Sequence, residues 1–151
     1  MEPSLFDDVA DALRGMMPPD LGPLRLRARR YGIKVWFGPE APPREHYEAQ
    51  VIGADAVDDA TILAIEVGFH TEHNKPTENT RVLEHLTEHE SAWRPIVGEE
   101  AVAGAFIGRA DTWLRVSETW PDPDLGDPEL GMELAARLVD YATALEPVRR
   151  T

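Results

Sequence analysis

The sequence has no cysteine, a shortage of basic side chains and no long apolar run. Without cysteine the chain can form no disulfide, no thiolate zinc site and no thiol nucleophile. Lys and Arg number 15 against 28 Asp and Glu, which gives a formal net charge of −13 at pH 7. Because this charge repels nucleic acid and anionic membrane surfaces, we expect neither as a partner.

The absence of a long apolar run has two consequences. A transmembrane helix needs roughly 18 or more consecutive apolar residues, and none occurs. The acidic start, MEPSLFDDVADALRG, has no basic segment before an apolar one, so it does not resemble a secretory signal. Together with the lack of cysteine, this predicts a cytoplasmic protein. The hydrophobic share of 42% suffices for the core of one domain, which we expect to cover residues 1–151.

Apolar residues recur at helical spacing in three segments. The first follows the N-cap Ser4, the second follows Pro76 and ends near Gly98, and the third begins at Pro128 and ends at Pro147. Each stripe predicts a helix with one buried side. The stripe residues are Leu5, Val9, Leu13 and Met16, then Val82, Leu83, Leu86 and Trp93, then Leu130, Leu134, Leu138, Tyr141 and Leu145.

Alternating apolar and polar residues predict the strands. We interpret Leu24 to Phe37 as one long strand, bulged near Gly32. His46 to Ile52 and Thr61 to Phe69 follow as the second and third strands. Because short turns join these three strands, the pattern favours an antiparallel meander.

A second hairpin is predicted over Ala101 to Trp120, turning at Ala110–Asp111, although residues 101–108 suit a short helix as well. The predicted order is therefore α-β-β-β-α-β-β-α. This order predicts an α+β two-layer sandwich, with helices on one face of an antiparallel sheet. The topology is similar to that of type III secretion chaperone-like folds, a likeness that concerns fold and implies no function.

Several catalytic motifs are missing. The chain has no Gly-x-Ser-x-Gly elbow, no Walker A sequence and no Gly-x-Gly-x-x-Gly, so the enzymes that depend on them are excluded. A similar order of elements occurs in restriction-endonuclease-like nucleases, whose metal sites combine carboxylates with a lysine. The predicted second and third strands contain no lysine, and the negative net charge opposes DNA binding.

Strand alternation predicts a functional surface on the sheet face away from the helices. If Ile65 and Val67 face the core, Glu66 must face the other way, and Glu48 follows from the same rule in the second strand. A plain solvated face with salt bridges is the alternative. The candidate ligand-binding residues are Trp36, Glu48, Glu66, Trp113 and Arg115, supported by His46 and His70.

Two further groups of residues could bind ligands. His70-x-x-His73 lies at the end of the third strand and His85-x-x-x-His89 on the next helix, which makes His70, His73, His85 and His89 candidate metal ligands. The alternative is that these histidines border the core. A basic block could hold an anion, or it could pair with acidic residues of the chain. The block comprises Arg25, Arg27, Arg29, Arg30, Lys34 and Arg44.

Two functions remain open. The first is a non-catalytic binding or protein-interaction module without a cofactor, whose outer sheet face holds a protein partner or a small ligand. Trp36, Trp113 and Ile52 on that face also predict a homodimer. The second function is a metal-dependent hydrolase with a divalent metal. Its ligands would come from His46, Glu48, Glu66, His70, His73, His85 and His89.

Overall fold

The computed structural model describes residues 4–108 and 111–151, and within these ranges the chain forms four α-helices, six strands and two short 3₁₀ helices, Pro19–Leu21 and Ala54–Ala56. This architecture confirms the predicted α+β class with an antiparallel sheet. In chain order the elements are α1 (Leu5–Met16), β1 (Leu24–Arg29), β2 (Gly32–Phe37), β3 (Glu45–Gly53), β4 (Leu63–Thr71), α2 (Pro76–Glu88), α3 (Glu90–Val97), β5 (Val102–Ala105), β6 (Leu114–Pro121) and α4 (Leu130–Arg149).

The strands form one sheet in the order β1-β2-β3-β4-β6-β5, with every neighbouring pair antiparallel. β4 lies in the middle, between β3 and β6, and is buried along nearly its whole length. β1 and β5 are the two edge strands. Residues 101–108, which suit a strand or a short helix by sequence, contain the strand β5. The predicted turn at Ala110–Asp111 includes residue 110, which lies outside the described residues.

The predicted single strand from Leu24 to Phe37 is wrong, because the segment forms a hairpin. β1 and β2 pair from Leu24 opposite Phe37 to Arg29 opposite Gly32, and the chain turns at Arg30–Tyr31. Apolar and polar residues alternate on both arms, so the pattern continues across the turn. Arg30–Tyr31 also lacks the Asn-Gly or Asp-Gly pair that typically marks a tight hairpin. The hairpin adds one strand to the predicted order.

The predicted helix after Pro76 is also divided. α2 ends at Glu88 and α3 begins at Glu90, with His89 between them in a non-helical conformation. The indole Nε1 of Trp93 donates to the carbonyl of Leu86 over 2.7 Å, which satisfies one of the carbonyls at the end of α2. Since Trp93 and Leu86 are both fully buried, the predicted stripe still faces the core.

The first helix begins as predicted, but the last helix begins at Leu130 and not at Pro128, and it continues past Pro147. Ser4 Oγ accepts from the Asp7 N–H over 3.2 Å, and the Asp7 carboxylate accepts from the Ser4 N–H over the same distance. Pro147 lies inside α4, near its end, and does not terminate the helix. Proline lacks the N–H that would bond to the Thr143 carbonyl and its ring disfavours a regular helix, but only two helical residues follow it.

All four helices share one hydrophobic core with a single face of the sheet. On β4 this face carries Ile65, Val67 and Phe69, each fully buried. Because strand residues alternate, Glu66 and His70 lie on the opposite face. Across the described ranges, no helix combines the length and the apolar character needed to cross a bilayer.

Candidate metal centre

Two His-x-Glu motifs lie side by side on the sheet face away from the helices. His46 and Glu48 belong to β3, His70 belongs to β4, and Glu72 follows β4 directly. His46 and His70 are directly opposite each other, and the Glu72 N–H donates to the Arg44 carbonyl over 2.8 Å, which continues the pairing. Residues two apart on a strand point to the same side, so the four side chains converge. We call His46, Glu48, His70 and Glu72 the His-Glu quartet.

The ligand atoms of the quartet are close together. His46 Nε2 lies 3.0 Å from Glu48 Oε1 and 3.3 Å from Glu72 Oε2. His70 Nδ1 lies 3.3 Å from Glu48 Oε1 and 3.1 Å from Glu72 Oε2. All four atoms are within 4.8 Å of one another. Nitrogen and oxygen ligands about 2.1 Å from a tetrahedral zinc would be roughly 3.4 Å apart, so these separations approach those of a coordination shell.

Each histidine also makes a hydrogen bond on the side that faces away from the quartet. His46 Nδ1 lies 3.0 Å from the Pro43 carbonyl oxygen, and His70 Nε2 lies 2.8 Å from Glu66 Oε2. Because these oxygens can only accept, each ring donates an N–H away from the quartet and directs its other nitrogen into it. Metal-binding histidines in proteins usually make such an outer hydrogen bond, which fixes the tautomer and the ring.

Glu66 is fully buried and has all the partners that an ionised carboxylate needs. Its Oε2 accepts from Ser117 Oγ over 2.6 Å in addition to His70, and its Oε1 accepts from Gln50 Nε2 over 2.8 Å. Arg115 in turn donates to Ser117 Oγ over 2.9 Å. Burial raises the pKa of the Glu66 carboxyl, but the charge and hydrogen bond of His70 outweigh this effect and lower it. Glu66 therefore supports His70 as a carboxylate.

The electrostatics of the quartet favour a cation. Burial alone would raise the pKa of the Glu48 carboxyl, but hydrogen bonds from His46 and His70 lower that pKa to about 2. Burial also raises the pKa of the Glu72 carboxyl, but the hydrogen bonds and charges of His46 and His70 outweigh it, so this pKa is lowered as well. At His70 burial opposes the charged form, yet Glu66 and Glu48 hold its pKa well above the usual range. The same carboxylate field that retains protons on imidazoles attracts a metal ion.

A missing side chain makes room for this arrangement. Gly68 lies on the same face between Glu66 and His70, with φ of +155°. A Cβ there would lie 2.4 Å from the Val116 carbonyl oxygen and 2.5 Å from Ser117 Cα on the adjacent strand. Only glycine therefore allows β4 and β6 to approach so closely under the quartet.

The quartet is covered on one side and open on the other. The Phe106 ring packs edge-on against His70, with 4.7 Å between ring centroids, and Trp113 packs against Phe106 at 5.3 Å. Glu48 and Glu72 keep 12% and 10% of their side chains exposed, whereas His46 and His70 are buried. Access from solvent is therefore from the side of the two carboxylates.

No protein-family model, curated protein or solved structure matches this chain. The function must therefore be argued from the geometry of the site itself. That geometry provides four convergent metal-ligand atoms, two oriented imidazoles and slight solvent exposure at the two carboxylates.

The predicted ligand-binding residues are only partly brought together. Glu48 belongs to the quartet, and Glu66 supports it from behind. Trp36 lies on the predicted face, but it is 4% exposed and donates from Nε1 to the Pro39 carbonyl over 2.7 Å. Trp113 packs on Phe106, and Arg115 contacts Glu66 only through Ser117. The two indole rings are therefore not an open aromatic surface.

The four histidines predicted as metal ligands do not meet. His70 is in the quartet, while His73 Nε2 pairs with Glu45 over 2.7 Å. His85 and His89 form a second, more exposed group with Glu88 at the end of α2. There His85 Nε2 donates to the Val148 carbonyl over 2.9 Å and His89 Nδ1 to the His85 carbonyl over 2.8 Å.

Sequence reasoning missed Glu72 as a ligand. The sequence pattern predicts that the third strand ends at Phe69, so the predicted alternation does not reach Glu72. The repeated His-x-Glu pattern, at His46 and again at His70, is the signal that could have identified the quartet.

Proposed function

We propose that the protein binds one divalent first-row transition metal through the His-Glu quartet. The observation that carries the proposal is that one nitrogen of each imidazole converges with the two carboxylates. His46 is held by a carbonyl and His70 by a buried carboxylate, so that the remaining nitrogens face the same two glutamates. Two nitrogen and two oxygen ligands suit zinc, manganese or iron, whereas the imidazoles disfavour magnesium and calcium.

An internal salt-bridge network is the competing explanation for the quartet. Burying several ionisable groups is costly, and such networks often stabilise a protein no better than apolar residues would. A buried imidazolium in such a network needs acceptors for both of its N–H groups, so an outer hydrogen bond suits both explanations. The convergence of two imidazole nitrogens and two carboxylate oxygens within 4.8 Å of one another favours metal binding, and the outer hydrogen bonds to Pro43 and Glu66 are those that metal-bound histidines usually make.

Metal-dependent hydrolysis is the second candidate function. The exposed edges of Glu48 and Glu72 favour it, because water can reach the metal position from their side. A metal with an open coordination position lowers the pKa of bound water and supplies a nucleophile at neutral pH. A non-catalytic metal-binding module on the same sheet face requires no such opening.

Metal analysis tests the proposal. The purified protein would be stripped with a chelator and titrated separately with Zn²⁺, Mn²⁺ and, under anaerobic conditions, Fe²⁺. We expect one equivalent of at least one metal to bind, as measured by calorimetry and elemental analysis. Glu72→Gln should weaken binding, because it replaces a carboxylate ligand with a neutral amide and changes the volume little.

A matched control separates the two histidine groups. The double variant His85→Ala/His89→Ala removes the second group and should keep the metal. If the wild type takes up no metal, or if the control variant loses it, the quartet is not the metal site. Hydrolysis is tested with p-nitrophenyl phosphate and p-nitrophenyl acetate, and turnover should appear only in the metal-loaded form.

Three further proposals come from the sequence. They are a cytoplasmic location, a protein partner and a homodimer. The homodimer hypothesis relied on exposed tryptophans, and the burial of Trp36 removes part of that support. Light scattering at high concentration tests it, because a monomer would have a mass of 16.8 kDa.

A further inference from the structure

A groove lies beside the quartet on the same sheet face. It has a volume of about 340 Å³, within the range typical of sites for small molecules. β1, β2 and β3 form its floor. Glu48 lines the groove and also belongs to the quartet, so the two sites are continuous. The other polar side chains that line it are Arg27, Arg29, Arg30, Lys34 and Gln50.

The groove concentrates positive charge in a chain whose net charge is −13. Arg27 and Lys34 are directly opposite each other in the β1–β2 pairing, where like charges repel. Lys34 Nζ lies 4.0 Å from Glu72 Oε1. Within the described ranges, no carboxylate oxygen lies within 4.0 Å of the guanidinium nitrogens of Arg27 or Arg29. Arg27 and Arg29 are therefore groove cations without an acidic partner among the described residues, whereas Lys34 is shared with Glu72.

The floor of the groove is shaped by a glycine. Gly32 lies opposite Gln50, and a Cβ there would come within 3.1 Å of the Ala49 carbonyl oxygen and 3.3 Å of Gln50 Cβ. Its missing side chain leaves space between the arginines of β1 and the polar residues of β3. Gln50 then donates to Glu66, which holds His70, so hydrogen bonds connect the groove to the quartet.

We propose that this groove binds a small molecule carrying a phosphate or carboxylate group. Arg27 and Lys34 hold the anionic group, and the rest of the molecule extends along the floor towards Glu48. A guanidinium matches the oxygens of phosphate and carboxylate in a bidentate manner, and the ammonium adds a second cation. The inference rests on the proposed function, because it makes the anion the substrate or co-ligand of a metal at the quartet.

Positive charge on an edge strand has another use, since it discourages pairing with strands of other molecules. That role needs neither a groove nor a glycine in the neighbouring strand. It also needs no connection between the charged residues and a metal centre. A binding experiment with defined anions therefore distinguishes the two roles.

The experiment titrates the metal-loaded protein with phenyl phosphate and, separately, with benzoate at low ionic strength. We expect saturable binding of at least one probe, measured by calorimetry. Arg27→Gln should weaken it roughly tenfold or more, because a charge-assisted bidentate contact is lost. Lys34→Gln should also weaken it. Arg14→Gln is the control, because Arg14 pairs with Asp11 on α1 and should leave binding unchanged.

Metal content, measured in every variant, separates this inference from the proposed function. If Arg27→Gln keeps its metal and loses the probe, the groove is supported. A wild type that holds one metal and binds neither probe overturns the groove. Arg27→Gln and Lys34→Gln variants that bind the probe as tightly as the wild type overturn it as well. If the wild type holds no metal but binds a probe through Arg27, anion binding stands and metal binding is the proposal that fails.

Discussion

His70 donates a hydrogen bond from Nε2 to the carboxylate of Glu66 over 2.8 Å, and both side chains are fully buried. The bond leaves Nδ1 as the only nitrogen that His70 can offer to the quartet. A carboxylate behind a histidine also raises its basicity as a ligand. Glu66 is therefore a positioning residue, which acts on the proposed metal through His70.

Glu66→Gln should weaken metal binding. Loss of a carboxylate behind a metal-bound histidine typically lowers metal affinity about 10- to 100-fold. Calorimetric titration with the metal that binds the wild type measures the change. The matched control is Glu118→Gln, since Glu118 is a buried carboxylate on the opposite face of the same sheet. Equal metal affinity in Glu66→Gln and wild type would show that Glu66 is only a structural partner of His70.

Metal should raise the melting temperature of the wild type. A ligand that binds only the folded state adds about 2.7 kcal/mol at a hundredfold excess over its Kd. For a domain of this size that corresponds to a shift of roughly 5–10 °C. Differential scanning calorimetry with and without metal measures it. Under the same conditions Glu72→Gln should show a smaller shift, and an undiminished shift would place the metal elsewhere.

Gly68→Ala should destabilise the fold strongly. The new Cβ would lie 2.4 Å from the Val116 carbonyl oxygen, at a positive φ that alanine rarely adopts. Strain of this kind should cost roughly 2–4 kcal/mol in the free energy of unfolding. Urea denaturation measures the change. Gly104→Ala is the control, because a Cβ at Gly104 on edge strand β5 meets no atom within 4 Å. Similar losses in the two variants would contradict the prediction.

Glu118→Gln should cost stability in a pH-dependent manner. Glu118 accepts hydrogen bonds from Arg137, from Tyr141 Oη over 2.8 Å and from Trp120 Nε1 over 2.8 Å. Burial raises the pKa of its carboxyl, but the hydrogen bonds from Arg137, Trp120 and Tyr141, with the charge of Arg137, together outweigh burial, and the pKa is lowered. Folding therefore favours the ionised form, so this stabilisation is present at neutral pH and is lost as the pH falls through the lowered pKa.

We expect the variant to be less stable than the wild type by roughly 1–3 kcal/mol at pH 7, because Arg137 loses a charged partner. The difference should shrink below the ordinary glutamate pKa of about 4.3. Urea denaturation at neutral and acidic pH measures both values. A difference that stays constant with pH would exclude an ionised Glu118 as its cause.

The polar face could be predicted because alternation is a local property of strands. Since Ile65 and Val67 are apolar, Glu66 was correctly placed on the opposite face. Other features depend on tertiary contacts. The two turn residues, Arg30 and Tyr31, include no glycine, and the adjacent Gly32 suggests a bulge as readily as a turn, so the pattern predicts one strand. Likewise, the His85–His89 spacing shows that two imidazoles are neighbours, but it cannot show that the end of α2 lies apart from the quartet.

Alternation along β4 also bears on how accurately the chain folds. Ile65 precedes Glu66 and Phe69 precedes His70, so sliding the strand by one position would exchange the two sets of side chains. Glutamate and histidine would then lie among the apolar residues under the helices, and each unpaired buried charge costs several kcal/mol. Misaligned sheets therefore cannot compete with the native one. Apolar substitutions of Glu66 and His70 should allow β4 to pair out of register, even if the variant unfolds at a higher urea concentration than the wild type.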